Sequence, residues 1–451
     1  MTAIRSLRLG IVLWVLALQG IALSQNKFPP NFDWDSGDAL AFIGDETTYD
    51  GRWCQYVENY FFTRYPDRRM VFYNAGNKND TARDVLDRID EDVIDRKINI
   101  ALIMLGTWDA EFKDVSPRSF AKYQTDMREL IEKLRKKRVH PILVSPPMFD
   151  YYVHQDRLAN DESYRFRIKE VTPYYNGVMG YYTSWLRVEA VLEGLRFADA
   201  WGALNAATQQ ERRVNPEFSL MADAVLPDAG GHAVIAAEVI KSLAPGRDDL
   251  GSIQLEYRGS EKGWESRTEG GSLSQLSGST TQLSFIWKAR ALPWAFPLDA
   301  TIGVELAEID ERFNKETLAI VGLEEGDYEL LIAGEKVGES FSARELAFGL
   351  PVHQLADRPQ YQRAQAVAKK NAERYATAIV PLREHWQQIK RVRQNFPTDL
   401  EKLTEAIAER EPKMNALRNQ SRELSQEIYE AAKPLGRNFE IRKIEEEEKK
   451  R

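Results

Sequence analysis

Between Leu40 and Leu243 the chain repeats one pattern: a short apolar run, a turn, then an amphipathic helical stretch. The apolar runs are Leu40–Gly44, Val71–Asn74, Ile98–Leu105, Pro141–Ser145 and Phe197–Ala200. Helical patterns occupy 51–64, 81–96, 117–137 and 163–194, with a last one over 231–242; Ser116 before Pro117 is a cap followed by a first-turn proline. Short apolar runs bounded by turn residues are buried strands, and a helix between two strands makes them run parallel. The crossovers are then right-handed and the helices lie on both faces. This predicts an α/β domain over 26–246, with the C-terminal strand ends along the edge where such sheets hold their sites.

The rest of the 451 residues changes character. Residues 252–257 and 282–287 alternate at period two, and Gly and Ser clusters separate such runs, so 247–357 is read as a small antiparallel β-domain. Within it, Tyr328–Leu331 and Lys336–Phe341 form a hairpin across Ala333-Gly334-Glu335, and Ser342-Ala343-Arg344-Glu345 is a capping box. Residues 358–451 read as a charged helical region. There Pro381 kinks or ends the first helix, Thr398–Glu401 caps the second, Pro412 interrupts it, and the segment from Gly436 is frayed. A charge-rich helical pair is an exposed hairpin packed on its own chain, or a docking surface for a protein partner.

Residues 1–25 have the form of a secretory signal: basic Arg5 and Arg8, apolar Leu9–Leu23, and Ala22-Leu23-Ser24 before a mature start near Gln25. The expectation is export to the periplasm or medium, with no membrane attachment once the signal is cleaved. The competing reading is an uncleaved anchor, since the apolar run is near the lower limit for a span. A net charge of −8 gives no basis for a nucleic-acid partner. The single cysteine, Cys54, excludes an internal disulfide and is read as a buried core residue.

Four strand ends carry the chemistry. Phe42-Ile43-Gly44-Asp45-Glu46 ends the first strand, Asn74-Ala75-Gly76 the second and Gly106-Thr107-Trp108-Asp109 the third. Asp223-Ala224-Val225-Leu226-Pro227, followed by Gly231-His232, precedes the last helix. In order and spacing these blocks resemble those of the SGNH/GDSL hydrolases, a family of esterases and lipases. The resemblance covers about 200 residues and is closest to exported forms with an appended β-domain and C-terminal helices. It implies a three-layer, flavodoxin-like parallel sheet and no cofactor or metal.

The family's catalytic residues are substituted. In the resemblance, position 46 holds the serine nucleophile and position 226 the histidine base, oriented by the aspartate at 223. Position 108 holds an oxyanion-binding asparagine and position 76 an oxyanion glycine. Here these are Glu46, Leu226, Asp223, Trp108 and Gly76. Thr47 and Thr48 lack an adjacent base, His140 falls at the far end of its strand, His232 is read as a packing or capping residue, and Ser145 as the polar end of a strand. His154, after Ser145-Pro146-Pro147, is the remaining histidine that faces the edge. Losing the nucleophile or the histidine alone costs a serine hydrolase roughly 10⁶-fold in turnover. A non-catalytic binding module, for a small molecule or glycan, is therefore the leading expectation.

Glu46, Asp109 and Asp223 are expected close together, with Asp45 behind. The carboxylates act as an acid/base pair on a glycoside or carbohydrate ester, or share a cation, or brace the backbone. Trp108, Tyr49, Trp53, Phe149, Tyr151 and Tyr152 either line a ligand cleft or fill volume vacated by the lost catalytic residues. A third expectation makes the helical region the functional part and the α/β domain its support.

Overall fold

The computed structural model describes residues 34–164, 171–243, 249–355 and 359–445. The secretory-signal reading of 1–25 lies outside the described residues. Five parallel strands form the first sheet: β1 Ala39–Gly44, β2 Val71–Gly76, β3 Ile100–Met104, β4 His140–Val144 and β5 Phe197–Ala198, in the order β2-β1-β3-β4-β5. Every residue of β1 is buried. Leu40 and Phe42 face Trp53, Val57 and the helix Ala229–Leu243, while Ala41 and Ile43 face Leu130, Leu134 and Ile89. Alternate side chains thus bury against opposite helical layers, and the three-layer α/β architecture stands.

Local chemistry sets many of the boundaries. The helix Pro117–Lys136 opens as expected, with Ser116 accepting from the Ser119 N–H at 3.2 Å. The stretch 81–96 breaks into Ala82–Leu86, Ile89–Asp92 and a 3₁₀ turn at Ile94–Arg96. Arg88, at the break, is buried and bonds Asp80, Asp92 and the Ala75 carbonyl. Of the stretch read as one helix over 163–194, the described helix is Tyr175–Glu193; a separate helix, Tyr151–Asn160, capped by Asp150, precedes it.

Two further sheets follow: β6 Gly251–Tyr257, β7 Trp264–Glu269, β8 Gly271–Gly278, β9 Gln282–Ala289, β10 Glu316–Val321, β11 Asp327–Ile332, β12 Glu335–Lys336, β13 Phe341–Ser342 and β14 Leu350–Pro351. Most pairs are antiparallel, but β6 and β10 run parallel. The hairpin from β11 to β12 turns on Ala333 and Gly334, with φ of +56° and +86°. Two positive φ values make a turn whose twist matches the strands. Ser342 and Glu345 form the capping box that starts the helix Ala343–Phe348.

The C-terminal region departs from expectation in three places. First, Pro359–Arg374 passes through a π-turn at Tyr375–Ile379 into Val380–Asn395, so Pro381 falls in the first turn of the second helical piece. Second, Asp399 rather than Thr398 caps the next helix, which runs unbroken over Leu400–Ala431 with Pro412 inside. Packing of its buried face, Met414 included, outweighs the missing hydrogen bond. Third, Arg437–Lys443, within the segment read as frayed, is strand β15, lying between β9 and β11; 446–451 lie outside the described residues. Phe439 and Ile441 alternate inward there, two apolar residues being enough for a strand buried on one face.

Candidate site at the C-terminal edge of the sheet

β1 ends at Gly44, and the chain turns at once into the short helix Glu46–Asp50. Asp45 caps it, Oδ1 accepting from the Thr47 N–H at 3.1 Å. A Cβ at position 76 would come 2.3 Å from the Tyr49 nitrogen, so Gly76 lets β2 lie against this turn. The Gly76 N–H donates to Asn74 Oδ1 at 2.8 Å and is already satisfied within its own strand end.

Glu46 is half-buried, and burial pushes its carboxyl up. The charge of Asp223 raises it further, while Lys78 and the neighbouring Trp108 indole pull it down. Positions 46 and 108 therefore lie side by side. Trp108 is half-buried and set edge-on to Phe112, ring centroids 4.9 Å apart. Asp223 Oδ1 accepts from the N–H of Val225 at 3.2 Å and of Leu226 at 2.7 Å, closing a turn in which Ala224 has φ +74°. Asp223 thus fixes the backbone carrying Leu226.

Asp109 does not join this group in the way expected. Its Oδ1 accepts from the Ala82 N–H at 2.9 Å, and its neighbour across the buried side is Asp45. Burial raises the Asp109 carboxyl to about 7 and, with the charges of Glu46 and Asp109 adding to it, the Asp45 carboxyl to about 8. Both acids brace backbone. Glu46 and Asp223 are the carboxylates that face one another.

The aromatic residues divide. Trp53 is fully buried against Phe42, and Phe149 packs in the core on Tyr175, so both fill the interior. Tyr152 is 75% exposed, under Arg212. Tyr151 is half-buried, on the same cluster as Trp108. Tyr49 is half-buried, with the Lys78 ammonium 4.7 Å from its ring centre. Trp108 and Tyr49 remain as the half-buried aromatics around the group, with Tyr151 half-buried beside His154.

Among the described residues, no imidazole meets a nucleophile suited to serine-type chemistry. His232 is fully buried, Nε2 lying 3.2 Å from Asp50 Oδ1; burial pushes Asp50 up, but His232 outweighs it and holds the carboxyl low. His154 is buried, with Nδ1 3.1 Å from the Tyr164 hydroxyl, which donates to the Asp223 carbonyl at 2.9 Å. Burial and the charge of Asp223 raise that phenol, so it is not activated. Ser145 Oγ accepts from the Trp201 N–H at 2.8 Å, and Cys54 is a buried free thiol.

Lys78 and the C-terminal contacts around it had no local signal in the sequence. Arg383 Nε donates to the Gly76 carbonyl at 2.8 Å, and Gln387 Nε2 to Asn77 Oδ1 at 2.6 Å. Lys390 Nζ donates to the carbonyls of Lys78 and Asn79, at 2.9 and 3.0 Å. The helix Val380–Asn395 thus clamps the loop that carries Lys78 to the site.

Fold and site together define an α/β protein with a parallel sheet, an appended β-region, and an acidic and aromatic group at the sheet edge. No family model matches the chain, and no curated protein sequence matches it. Among solved structures, a gut microbial diltiazem-metabolizing enzyme superposes with a TM-score of 0.72 at 21% identity, over 93% of this chain and 100% of that one. The two share their fold across the appended regions as well as the α/β part. An acetylxylan esterase from Geobacillus stearothermophilus matches 48% of this chain and 98% of its own, at 22% identity and a TM-score of 0.37. An alpha/beta hydrolase from the metagenome of Lake Arreo, Spain, matches 46% and 96%, at 23% identity and 0.35.

Proposed function

We propose that this is an exported, non-catalytic binding protein on an SGNH-type esterase fold, its ligand a glycan held at the former catalytic edge. The observation that carries this reading is the replacement of nucleophile and base by groups that occupy each other or the backbone. Glu46 stands in the serine's place beside the Trp108 indole, while Asp223 fixes the turn that presents Leu226. A carboxylate there repels the negative charge that acyl transfer develops, and the Gly76 N–H is already bonded. Trp108, Tyr49 and Tyr151 supply the apolar faces on which sugar rings stack, and Glu46, Asp223 and Lys78 the polar groups that orient them. Export rests on Arg5, Arg8 and the apolar run Leu9–Leu23.

The test is binding of neutral oligosaccharides to the purified mature chain, followed by tryptophan fluorescence. The reading expects saturable binding that weakens by about tenfold or more in Trp108→Ala, the loss of one stacking face. Absence of binding, or equal binding by the variant, contradicts it.

One observation favours a second reading. Glu46 is raised by burial and faces the charge of Asp223, the arrangement that splits two carboxyls into an acid and a base. That pair would act on a glycoside or carbohydrate ester. Release of 4-nitrophenol from aryl glycosides, abolished in Glu46→Gln, would establish it; no release in the wild type removes it.

A further inference from the structure

A groove of about 410 Å³ lies along the seam between Met70–Tyr73 of the edge strand, the turn Asp95–Ile98 and the long helix Leu400–Ala431. It sits at the start of β2, away from the end at which Gly76 meets the candidate site. Five cations line it: Arg96, Lys97, Arg374, Arg418 and Arg422. The carboxylates that answer them are fewer. Arg374 pairs with Glu58 at 2.8 Å, and Arg96 and Arg418 share Glu411. Asp95 is the remaining acid in the lining. Five cations against three carboxylates leave a surplus of two positive charges, in a chain whose net charge is −8.

The surplus sits on specific atoms. Among the described residues neither Lys97 nor Arg422 has an ion-pair partner; Arg422 Nη1 donates to Asn419 Oδ1 at 3.2 Å. Arg418 Nη1 and Arg96 Nε are buried with no acceptor among the described residues. Arg422 and Lys97 are exposed where they line the groove, and a guanidinium with free N–H groups binds an oxyanion at two points. The groove's volume falls within the span of small-molecule pockets, about 300–1,000 Å³, so a bare ion would leave most of it unfilled.

We infer that this groove binds a sugar-sized anion carrying a phosphate or carboxylate group. The charged group is held by Arg422 and Lys97, with the charge of Arg418 behind them, and the polar body lies along Asn415 and Asn419.

Titration calorimetry on the full chain tests this with glucose 6-phosphate, glucuronate, glucose and inorganic phosphate. The expected result is binding of glucose 6-phosphate or glucuronate, the tighter of the two naming the charged group, and none of glucose. Lys97→Gln/Arg422→Gln removes two cations outside the buried pairs, so its unfolding midpoint without ligand stays at the wild-type value. Its affinity for the binding anion falls by about tenfold or more, the loss of one or two charge-assisted hydrogen bonds. Three results overturn the inference: no binding of either sugar anion, equal affinity in the double variant, or inorganic phosphate binding as tightly as either one.

Discussion

Arg383 donates through Nη1 to Asp92 Oδ1 and through Nη2 to Oδ2, each at 2.8 Å, across 291 positions of the chain. Neither side chain is exposed. Through its Nε the same guanidinium holds the Gly76 carbonyl, so one residue of the C-terminal helices ties together the sheet edge and the candidate site. Breaking a buried pair from one side costs about 3–5 kcal/mol, because the abandoned charge stays buried. Asp92 keeps Arg88 and the Tyr73 hydroxyl in Arg383→Leu, so the variant is expected to lose about 3 kcal/mol, the low end of that range, in urea-unfolding free energy.

Asp45 and Asp109 give the protein a pH dependence of definite sign. Burial raises their carboxyls to about 8 and about 7 in the folded chain, against the ordinary aspartate value of 3.8. The folded state therefore binds protons that the unfolded state has released. Their contribution is complete below the unfolded value and is lost as pH rises through about 7 and about 8. Each group loses roughly 1.4 kcal/mol per pH unit across that window. Asp45→Asn keeps an acceptor for the Thr47 N–H and removes one titration. Thermal unfolding followed from acid to mildly alkaline pH is expected to decline less steeply in the variant.

Strand β15 makes the end of the chain part of the β-region rather than an appendage. Phe439 is fully buried and stacks on Phe285, ring centroids 5.0 Å apart with planes 13° off parallel. Truncating such a side chain costs about 3–5 kcal/mol. Phe439→Ala is expected to lower the unfolding midpoint of the β-region, read by near-ultraviolet circular dichroism. Truncation after residue 355 removes β15 from between β9 and β11, so any partner lost on such a truncation does not report on the helices alone.

What was legible in the sequence was what local chemistry dictates. The turn at Gly44–Glu46, the Ser116 cap, the Ala333-Gly334 hairpin and the Ser342 capping box each follow from a few adjacent residues. Features set by distant partners were not. β15 has two apolar residues facing inward, and its pairing with β9 joins positions some 150 apart, as in Phe439 with Phe285. Trp53 and Trp108 are both aromatic residues near strand ends, yet the helix turns one into the core and the loop leaves the other half-buried. Which carboxylate faces Glu46 depended on a single hydrogen bond, from the Ala82 N–H to Asp109, that no spacing rule announces. Lys78 became part of the group because Lys390 fixes its carbonyl from more than 300 positions away.

Turnover of 4-nitrophenyl acetate by the mature wild-type chain, beside Glu46→Gln, tests the central claim most directly. With Glu46 and Leu226 where, on the proposed reading, a hydroxyl and an imidazole would act, the account predicts release no faster than in protein-free buffer, the same for both chains. Saturable hydrolysis by the wild type that disappears in Glu46→Gln would contradict it.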